Sequence, residues 1–578
     1  MCGIFAIVNS NNNSYTNDPK IFTSFNKGKN RGPEFSILKN YNNLKIGFHR
    51  LAINGLNSES NQPFEINNIL LVCNGEIYNF KQLARENSIT LTTDSDCEII
   101  LHLYLIYGIE YTLSLLDGVF SFIIYDKNNN NLIIGRDPYG VRPLYYFFEN
   151  NIISFASELK ALYDLSLLKN NIHNFIPGHY MIINDINSKL VNYNYYKYTT
   201  FPCDNIKYKL NNYLNKYIIK YITDAVKKRV VGTCERPVGC LLSGGLDSSL
   251  IAALVNKFYK STTPLQTFSI GLPGSEDLKY AAIVAKHLGT RHHEIILTED
   301  QFFNAIPEVI KSIESYDTTT VRASVGNYLV GKYIKENTDC KVIFNGDGAD
   351  ELMGGYLYFK KSPNAYEFDK ECRRLLKDIH MYDVLRSDRC ISSHGLEPRT
   401  PFLDRKWVEF YLSIDRQIRF NTTKDKCEKY LIRKAFNEIH PKLLPSEILW
   451  RTKEAFSDGV SSLTKSWFQI IQDKINIEFN TPYYNEEHNL KFILNSIIEK
   501  YKKDYNSNTK PITYEQAYYR YIYNLNYDST DHLIPYFWMP KYVDANDASA
   551  RTLKIYDENN TNNTNNTNNT NNTNNTNK

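Results

Sequence analysis

Val238-Gly239-Cys240-Leu241-Leu242 runs directly into Ser243-Gly244-Gly245-Leu246-Asp247-Ser248-Ser249, and a helical pattern follows from Leu246 to about Lys257. A short apolar run that breaks at glycines and restarts as a helix reads as a buried strand, a tight loop and a helix. The glycines let backbone N–H groups close on an anion, and the helix start adds positive partial charge. No Gly-Lys-Ser/Thr follows, so transfer of a terminal phosphate is not the natural reading. A bare Ser-Gly-Gly is a generic turn, but the full string is much rarer by chance.

The same texture recurs downstream. Leu265 to Ile270 and Lys341 to Phe344 are short strands followed by polar, glycine-containing loops. Strands alternating with helices predict a doubly wound parallel sheet with ligands at the carboxyl ends of its strands. The loop after the second of these is Asn345-Gly346-Asp347-Gly348-Ala349-Asp350-Glu351. Its carboxylates can coordinate Mg²⁺, and its glycines allow close approach. The spacing does not fit a twelve-residue Ca²⁺ loop.

Before about residue 195 the pattern is different. Gly3 to Val8, Leu70 to Cys73, Phe120 to Tyr125, Leu132 to Arg136 and Ile152 to Ala156 read as strands. A helix is expected from Ser95 to about Tyr107, with Ser95 as its cap and Glu98 three residues on. Residues 2–195 therefore form one expected domain, 196–212 a linker and 213–555 a second domain. Residues 556–578, an Asn-Asn-Thr repeat, are expected to be disordered.

Composition limits what such a chain does. The 578 residues carry Lys+Arg 67 against Asp+Glu 63, a net charge of +4, which gives no electrostatic case for nucleic acid or an anionic membrane as main partner. The 10 cysteines form no CxxC pair and no zinc-ligand spacing, which suits a reducing compartment. No basic n-region precedes the apolar amino end, and no stretch approaches a membrane span. The expected location is cytoplasmic.

Cys2, followed by Gly3, supplies the first catalytic candidate. Removal of Met1 before a small residue would give Cys2 both a thiol and a free α-amine. An amine of pKa about 7.7–8.0 can accept the proton of a thiol of pKa about 8.5. A lone Cys2 is more simply a small apolar residue opening a buried strand. Other segments change that balance. Arg50, in His49-Arg50-Leu51-Ala52-Ile53, can hold an α-carboxylate through paired hydrogen bonds. Asn74 and Gly75 can form an oxyanion hole, and Asp96 can face a substrate ammonium.

Together with Arg31-Gly32-Pro33, Asn74-Gly75-Glu76, Leu116-Asp117-Gly118, Arg136-Asp137-Pro138-Tyr139-Gly140 and Ala156-Ser157-Glu158, these segments resemble the N-terminal-nucleophile glutamine amidotransferases. The resemblance implies an αββα sandwich in which Cys2 attacks glutamine. Arg50, Leu51, Ala52, Ile53, Asn54, Asn74, Gly75, Glu76 and Asp96 would bind it. Ser243 to Ser249 is similar to the loop of the ATP pyrophosphatases. With Leu396 to Asp404, Lys429 to Lys434 and Trp450 to Gly459, the chain resembles the glutamine-hydrolysing asparagine synthetases over residues 2–555.

That resemblance implies ATP held by Leu241, Ser243, Gly244, Gly245, Asp247, Ser248, Ser249, Ile270, Asn345 and Gly346. It implies Mg²⁺ held by Asp247 and Asp350, and adenylation of aspartate assisted by Asp347, Lys453, Thr319 and Arg322. It also implies ammonia passed internally between the sites, and a homodimer is compatible with it. Asn345 and Asp347 depart from the family's usual Ser-Gly-Glu. Another amidotransferase of the same plan, with a different carboxylate acceptor, is the alternative.

Overall fold

A computed structural model describes residues 1–9, 19–149, 151–188, 192–203, 212–232, 235–479, 490–504, 507–545 and 547–553. The Asn-Asn-Thr tail and much of the expected linker lie outside these residues.

Twelve strands come first: β1 (Gly3–Asn9), β2 (Phe35–Tyr41), β3 (Leu44–Arg50), β4 (Phe64–Ile66), β5 (Ile69–Ile77), β6 (Gly118–Asp126), β7 (Asn131–Arg136), β8 (Tyr145–Glu149), β9 (Ile152–Ala156), β10 (His173–Asn174), β11 (His179–Asn184) and β12 (Asn192–Lys197). They form two 6-stranded sheets, ordered β10-β8-β9-β1-β3-β2 and β12-β11-β7-β6-β5-β4. Alternate residues decide which side faces which layer. Ile4, Ala6, Val8, Ile46 and Phe48 of the first sheet meet Leu70, Val72, Ile123, Ile134 and Met181 of the second. The intervening residues face outward. Phe5, Ile7 and Phe147 pack on the helices Pro19–Asn26 and Lys160–Tyr163. Leu71, Cys73, Phe120 and Phe122 pack on Phe80–Glu86 and Ile99–Leu115. The result is the expected αββα sandwich.

The helix start near Ser95 differs in detail. A 3₁₀ turn, Asp96–Glu98, precedes the α-helix Ile99–Leu115, and Ser95 accepts from the Cys97 N–H. Glu98 does not complete a capping box. Its carboxylate instead accepts the backbone N–H and the hydroxyl of both Thr92 and Thr93, four donors against the one that a box would offer.

The remaining strands, β13 (Val238–Leu241), β14 (Gln266–Gly271), β15 (Arg291–Ile296), β16 (Val342–Phe344) and β17 (Glu397–Arg399), form a third sheet ordered β15-β14-β13-β16-β17. All its pairings are parallel. The strands β13, β14, β16 and β17 are buried on both faces, and the edge strand β15 is largely exposed. Val238, Cys240 and Phe344 pack with the helices Asn212–Val230 and Leu246–Phe258. Phe268, Ile270 and Ile343 pack with Ile306–Ile313 and Thr318–Asn337. This is the doubly wound sheet, and chain order reverses between β13 and β16, where a crevice opens.

Candidate active sites

The first site lies where β1, the end of β3 and β5 meet. Cys2 immediately precedes β1, with Sγ 3.7 Å from the Leu51 carbonyl. Burial pushes its thiol up, partly offset by the chain-terminal ammonium and by the Leu51 contact. Met1 is itself buried, and its amine donates to the Leu396 carbonyl at 3.4 Å.

Asn74 is fully buried, yet neither its Nδ2 nor its Oδ1 has a hydrogen-bond partner among the described residues. A buried amide left open this way costs stability unless something else fills it. Gly75 beside it is required sterically, since a Cβ there would lie 2.6 Å from the Val119 carbonyl. Asn54, Glu76 and Asp96 converge close by. Asn54 Nδ2 donates to Glu76 at 2.8 Å and to Asp96 at 3.4 Å, and the Ile77 N–H donates to Asp96 at 2.6 Å. Burial raises Asp96 to about 6 despite those bonds. Burial, with Asp96 and Glu397 nearby, raises Glu76 well above the usual carboxylate range.

Arg50 is turned to its own loop, donating to the carbonyls of Asn54, Gly55 and Asn57 and to Asn61 Oδ1. It thereby holds residues 54–61, which follow Leu51, Ala52 and Ile53.

The second site is a cavity at the reversal of the third sheet. Leu241, Ser243, Gly245, Asp247 and Ser248 line it from the β13 side, Ile270 from β14, Asn345, Gly346, Asp347 and Asp350 from the loop after β16, and Thr319 and Lys453 from further off. Gly244 is absent from the lining. Its φ of +69° and its place against Tyr280, 2.4 Å from where a Cβ would sit, make it the turn's hinge. Ser249 lies behind the loop, fully buried. The two loops touch, since a Cβ on Gly346 would be 2.8 Å from Asp247 Cβ. Ser248 Oγ accepts from the Ser243 N–H at 3.1 Å, folding the phosphate-type loop on itself.

Arg322 is not in the lining. Its guanidinium is paired with Glu515 and Asp547, each at 2.7 Å. Asp547 belongs to a carboxyl-terminal strap whose Trp538, Pro540, Ala548, Ala550 and Leu553 wall the cavity. Further pins are Ser549 to Asp458 at 2.7 Å and Arg551 to Glu454.

Lys429, on the motif Lys429 to Lys434, is the largest omission of the sequence reading. Fully buried, its Nζ lies 2.5 Å from Asp247 and 2.6 Å from Asp350, while Lys453 Nζ is 2.9 Å from Asp350. Burial alone would raise Asp350, but Lys429 and Lys453 hold it well below the usual range. Asp247, where burial outweighs Lys429, is raised. Lys453 is raised because Asp350 and Asp247 outweigh burial. Arg451 donates to the Ser243 carbonyl at 3.2 Å and to Asp277 at 2.9 Å, bracing the loop from outside. Among the described residues, no three His, Cys, Asp or Glu side chains gather as a metal site.

The two sites are wired through β17. The Asn345 N–H donates to the Arg399 carbonyl at 3.1 Å. The Arg399 guanidinium reaches Glu397 at 2.8 Å and Glu76 of the first site at 3.4 Å.

A glutamine amidotransferase domain model matches residues 1–200, and an asparagine synthase model matches residues 218–367 and 360–488. The fold and these matches define an N-terminal-nucleophile amidotransferase joined to an ATP-pyrophosphatase-type synthetase. Curated relatives narrow this further. The glutamine-hydrolysing asparagine synthetase of Gallus gallus is 41% identical over 581 residues, covering 96% of this chain and 99% of its own. Those of Rattus norvegicus and Homo sapiens are each 40% identical with the same coverage. The chain belongs to the glutamine-hydrolysing asparagine synthetase family, a family of ligases.

Proposed function

We propose that residues 2–195 hydrolyse glutamine, and that residues 213–555 use ATP and the released ammonia to convert aspartate to asparagine, giving AMP, pyrophosphate and glutamate. The observation that carries this reading is the meeting of two loops, the buried Lys429 and the half-buried Lys453 in one cavity of a chain whose other half leaves the buried Asn74 amide open.

In the first half, the Cys2 sulfur adds to the side-chain carbonyl of glutamine. The developing oxyanion is received by the Asn74 amide and the Gly75 N–H. Asp96 faces the substrate ammonium. Arg50 would receive the α-carboxylate of glutamine, and it also orders the loop that follows Leu51. Collapse of the adduct expels ammonia, and water then releases glutamate from the thioester.

In the second half, a carboxylate oxygen of aspartate adds to the α-phosphorus of ATP and pyrophosphate leaves. Ammonia then displaces AMP from the mixed anhydride. Backbone N–H groups of Ser243 to Ser249 receive phosphate oxygens, and Lys453 and Lys429 offset their charge. Gly244 and Ser249 shape the loop from behind, and Arg322 acts through the strap it pins. Asp247 and Asp350 fit Mg²⁺ on the observation that Asp247 Oδ1 is buried without a partner and that Mg²⁺ is usually held by one or two carboxylates plus substrate phosphates. Bound there, it would neutralise charge building on the pyrophosphate.

A cytoplasmic location suits the free state of every described cysteine. No helix among the described residues is long and apolar enough to cross a membrane.

The decisive experiment incubates the chain with Mg·ATP, aspartate and amide-labelled glutamine and identifies every product. Labelled asparagine with matching AMP and pyrophosphate is expected. Cys2→Ala should abolish glutamine-dependent synthesis and spare ammonia-dependent synthesis. Pyrophosphate release that ignores aspartate would favour a different carboxylate acceptor.

A further inference from the structure

Three cysteines stand at the first site, and the reaction uses only Cys2. Cys73, on β5, and Cys97, in the turn Asp96–Glu98, are both buried and both free. They share one apolar layer under the helix Ile99–Leu115. β4 pairs with β5 only as far as Leu71, which leaves one edge of β5 to other partners. Alternate residues of a strand turn their backbone groups to the same edge. On that edge Cys73 bonds the Gln62 side chain through both its N–H and its C=O, at 2.6 and 3.2 Å. The Cys97 thiol donates to the Gly75 carbonyl at 3.6 Å, and the Ile77 N–H donates to Asp96 at 2.6 Å. The turn therefore lies where a longer β4 would lie, and it carries the Cys97 thiol to the Cys73 thiol. Their hydrogen bond, ahead of burial and Asp96, raises the Cys97 thiol well above its ordinary range.

We propose, resting on the reading above that residues 2–195 hydrolyse glutamine, that Cys73 and Cys97 are a modification site: a peroxide converts the pair reversibly to a disulfide, which stops glutamine hydrolysis and spares synthesis from free ammonia. A disulfide holds its sulfurs about 2.05 Å apart, closer than a thiol–thiol hydrogen bond, so closing it pulls the turn against β5. Asn74 directly follows Cys73 and Asp96 directly precedes Cys97. The pull thus falls on the oxyanion-binding amide and on the carboxylate that faces the substrate ammonium. One sulfur attacks an oxygen of hydrogen peroxide and breaks the O–O bond; the departing hydroxide takes the thiol proton as water, and a sulfenic acid remains. The second sulfur displaces that hydroxyl, which leaves as water with the other thiol proton. Two electrons pass to the peroxide, and a small dithiol returns them. A thiol held protonated reacts slowly, so the pair stays reduced until peroxide persists.

The full chain is exposed to hydrogen peroxide over a time course, alkylated and digested, while glutamate release and ammonia-dependent asparagine synthesis are followed. A linked Cys73–Cys97 peptide should accumulate as glutamate release falls about tenfold or more, with ammonia-dependent synthesis within about twofold of its start. Dithiothreitol should reverse both the link and the loss. Peroxide also attacks Cys2, so Cys73→Val and Cys97→Ser serve as controls: neither can form the bond, and each should lose glutamate release more slowly than the wild type. The linked peptide is read in the wild type, so a variant that folds poorly does not hide it. Its absence after prolonged exposure, its presence with unchanged glutamate release, or variants inactivated as fast as the wild type each overturn the proposal. A reduced wild type that releases no glutamate from glutamine instead overturns the functional reading, and the linked peptide then still decides the pairing.

Discussion

Lys429→Met is the sharpest perturbation available. The ammonium it removes is fully buried, 2.5 Å from Asp247 and 2.6 Å from Asp350. Removing one partner of a buried pair costs about 3–5 kcal/mol, because a charge is left desolvated. Asp350 keeps Lys453 at 2.9 Å, so the loss falls chiefly on Asp247, and the lower figure of about 3 kcal/mol applies. An unfolding entropy of about 2.1 cal/mol/K per residue, summed over the second domain, is about 0.7 kcal/mol/K. The melting transition of that domain should therefore fall by about 4 °C in EDTA. Magnesium at a hundredfold excess over its Kd should restore up to about 2.7 kcal/mol, because an ion held by Asp247 and Asp350 no longer competes with the Lys429 ammonium. Asp247→Asn combined with Lys429→Gln should lose less than Lys429→Met alone, since both charges leave together. Scanning calorimetry with and without Mg²⁺ reads all of these. A Lys429→Met protein that melts with the wild type in EDTA, or that gains nothing from Mg²⁺ beyond the wild-type gain, refutes the reasoning.

Three further outcomes are expected. Asp96, raised to about 6 by burial, must be ionised to face an ammonium. The kcat/KM for glutamine should therefore fall about tenfold per pH unit below that value and be flat above it, as a pH profile of glutamate release will reveal. Arg322→Gln should free the strap and leave Glu515 buried without its cation. Faster limited proteolysis within residues 538–553 and a raised KM for ATP are the readouts, and unchanged proteolysis would argue against the pin. Gly346→Ala forces a Cβ to within 2.8 Å of Asp247 Cβ. The two loops must part by about half an ångström or more, and the KM for ATP in pyrophosphate release should rise on the order of tenfold.

Much of this was legible in the chain itself. The change from short strands to alternating strand and helix near residue 213 reflects a physical difference, antiparallel strands joined by short turns against parallel strands that need a crossover helix between them. Ser243 to Ser249 could be read because a close backbone approach allows few residues besides glycine. Gly244 at φ +69° is the instance. Lys429 could not be read that way. Its partners stand 182 and 79 positions away, and a lysine's local sequence says nothing about which distant carboxylates will enclose it. Arg322, expected in the synthetase site, stands outside the cavity lining, and its local sequence showed no sign of the partners that take it. Glu515 and Asp547, 193 and 225 positions on, claim its guanidinium before any phosphate can. Glu98 followed the same logic on a smaller scale, choosing four donors of a neighbouring loop over a cap.

The arrangement of β17 ties the two halves together through buried ion pairs. Glu397 and Arg399 stand beside each other on the edge strand of the synthetase sheet, yet their side chains point into the sandwich, at the Met1 amine's surroundings and at Glu76. Arg31 of the sandwich donates to Asp388 at 2.7 and 3.1 Å, and Asp388 lies two residues beyond Arg386, which lines the synthetase cavity, on the helix Asp383–Ser392. The helix that aims Arg386 at one cavity is therefore anchored to the arginine that also holds the Cys2 carbonyl at 2.9 Å. Buried ion pairs add little net stability but punish displacement severely, because either partner alone is a desolvated charge. A rigid-body shift of one half against the other would break several at once. The contacts thus fix the separation of the two sites, which a reaction passing ammonia from one to the other requires.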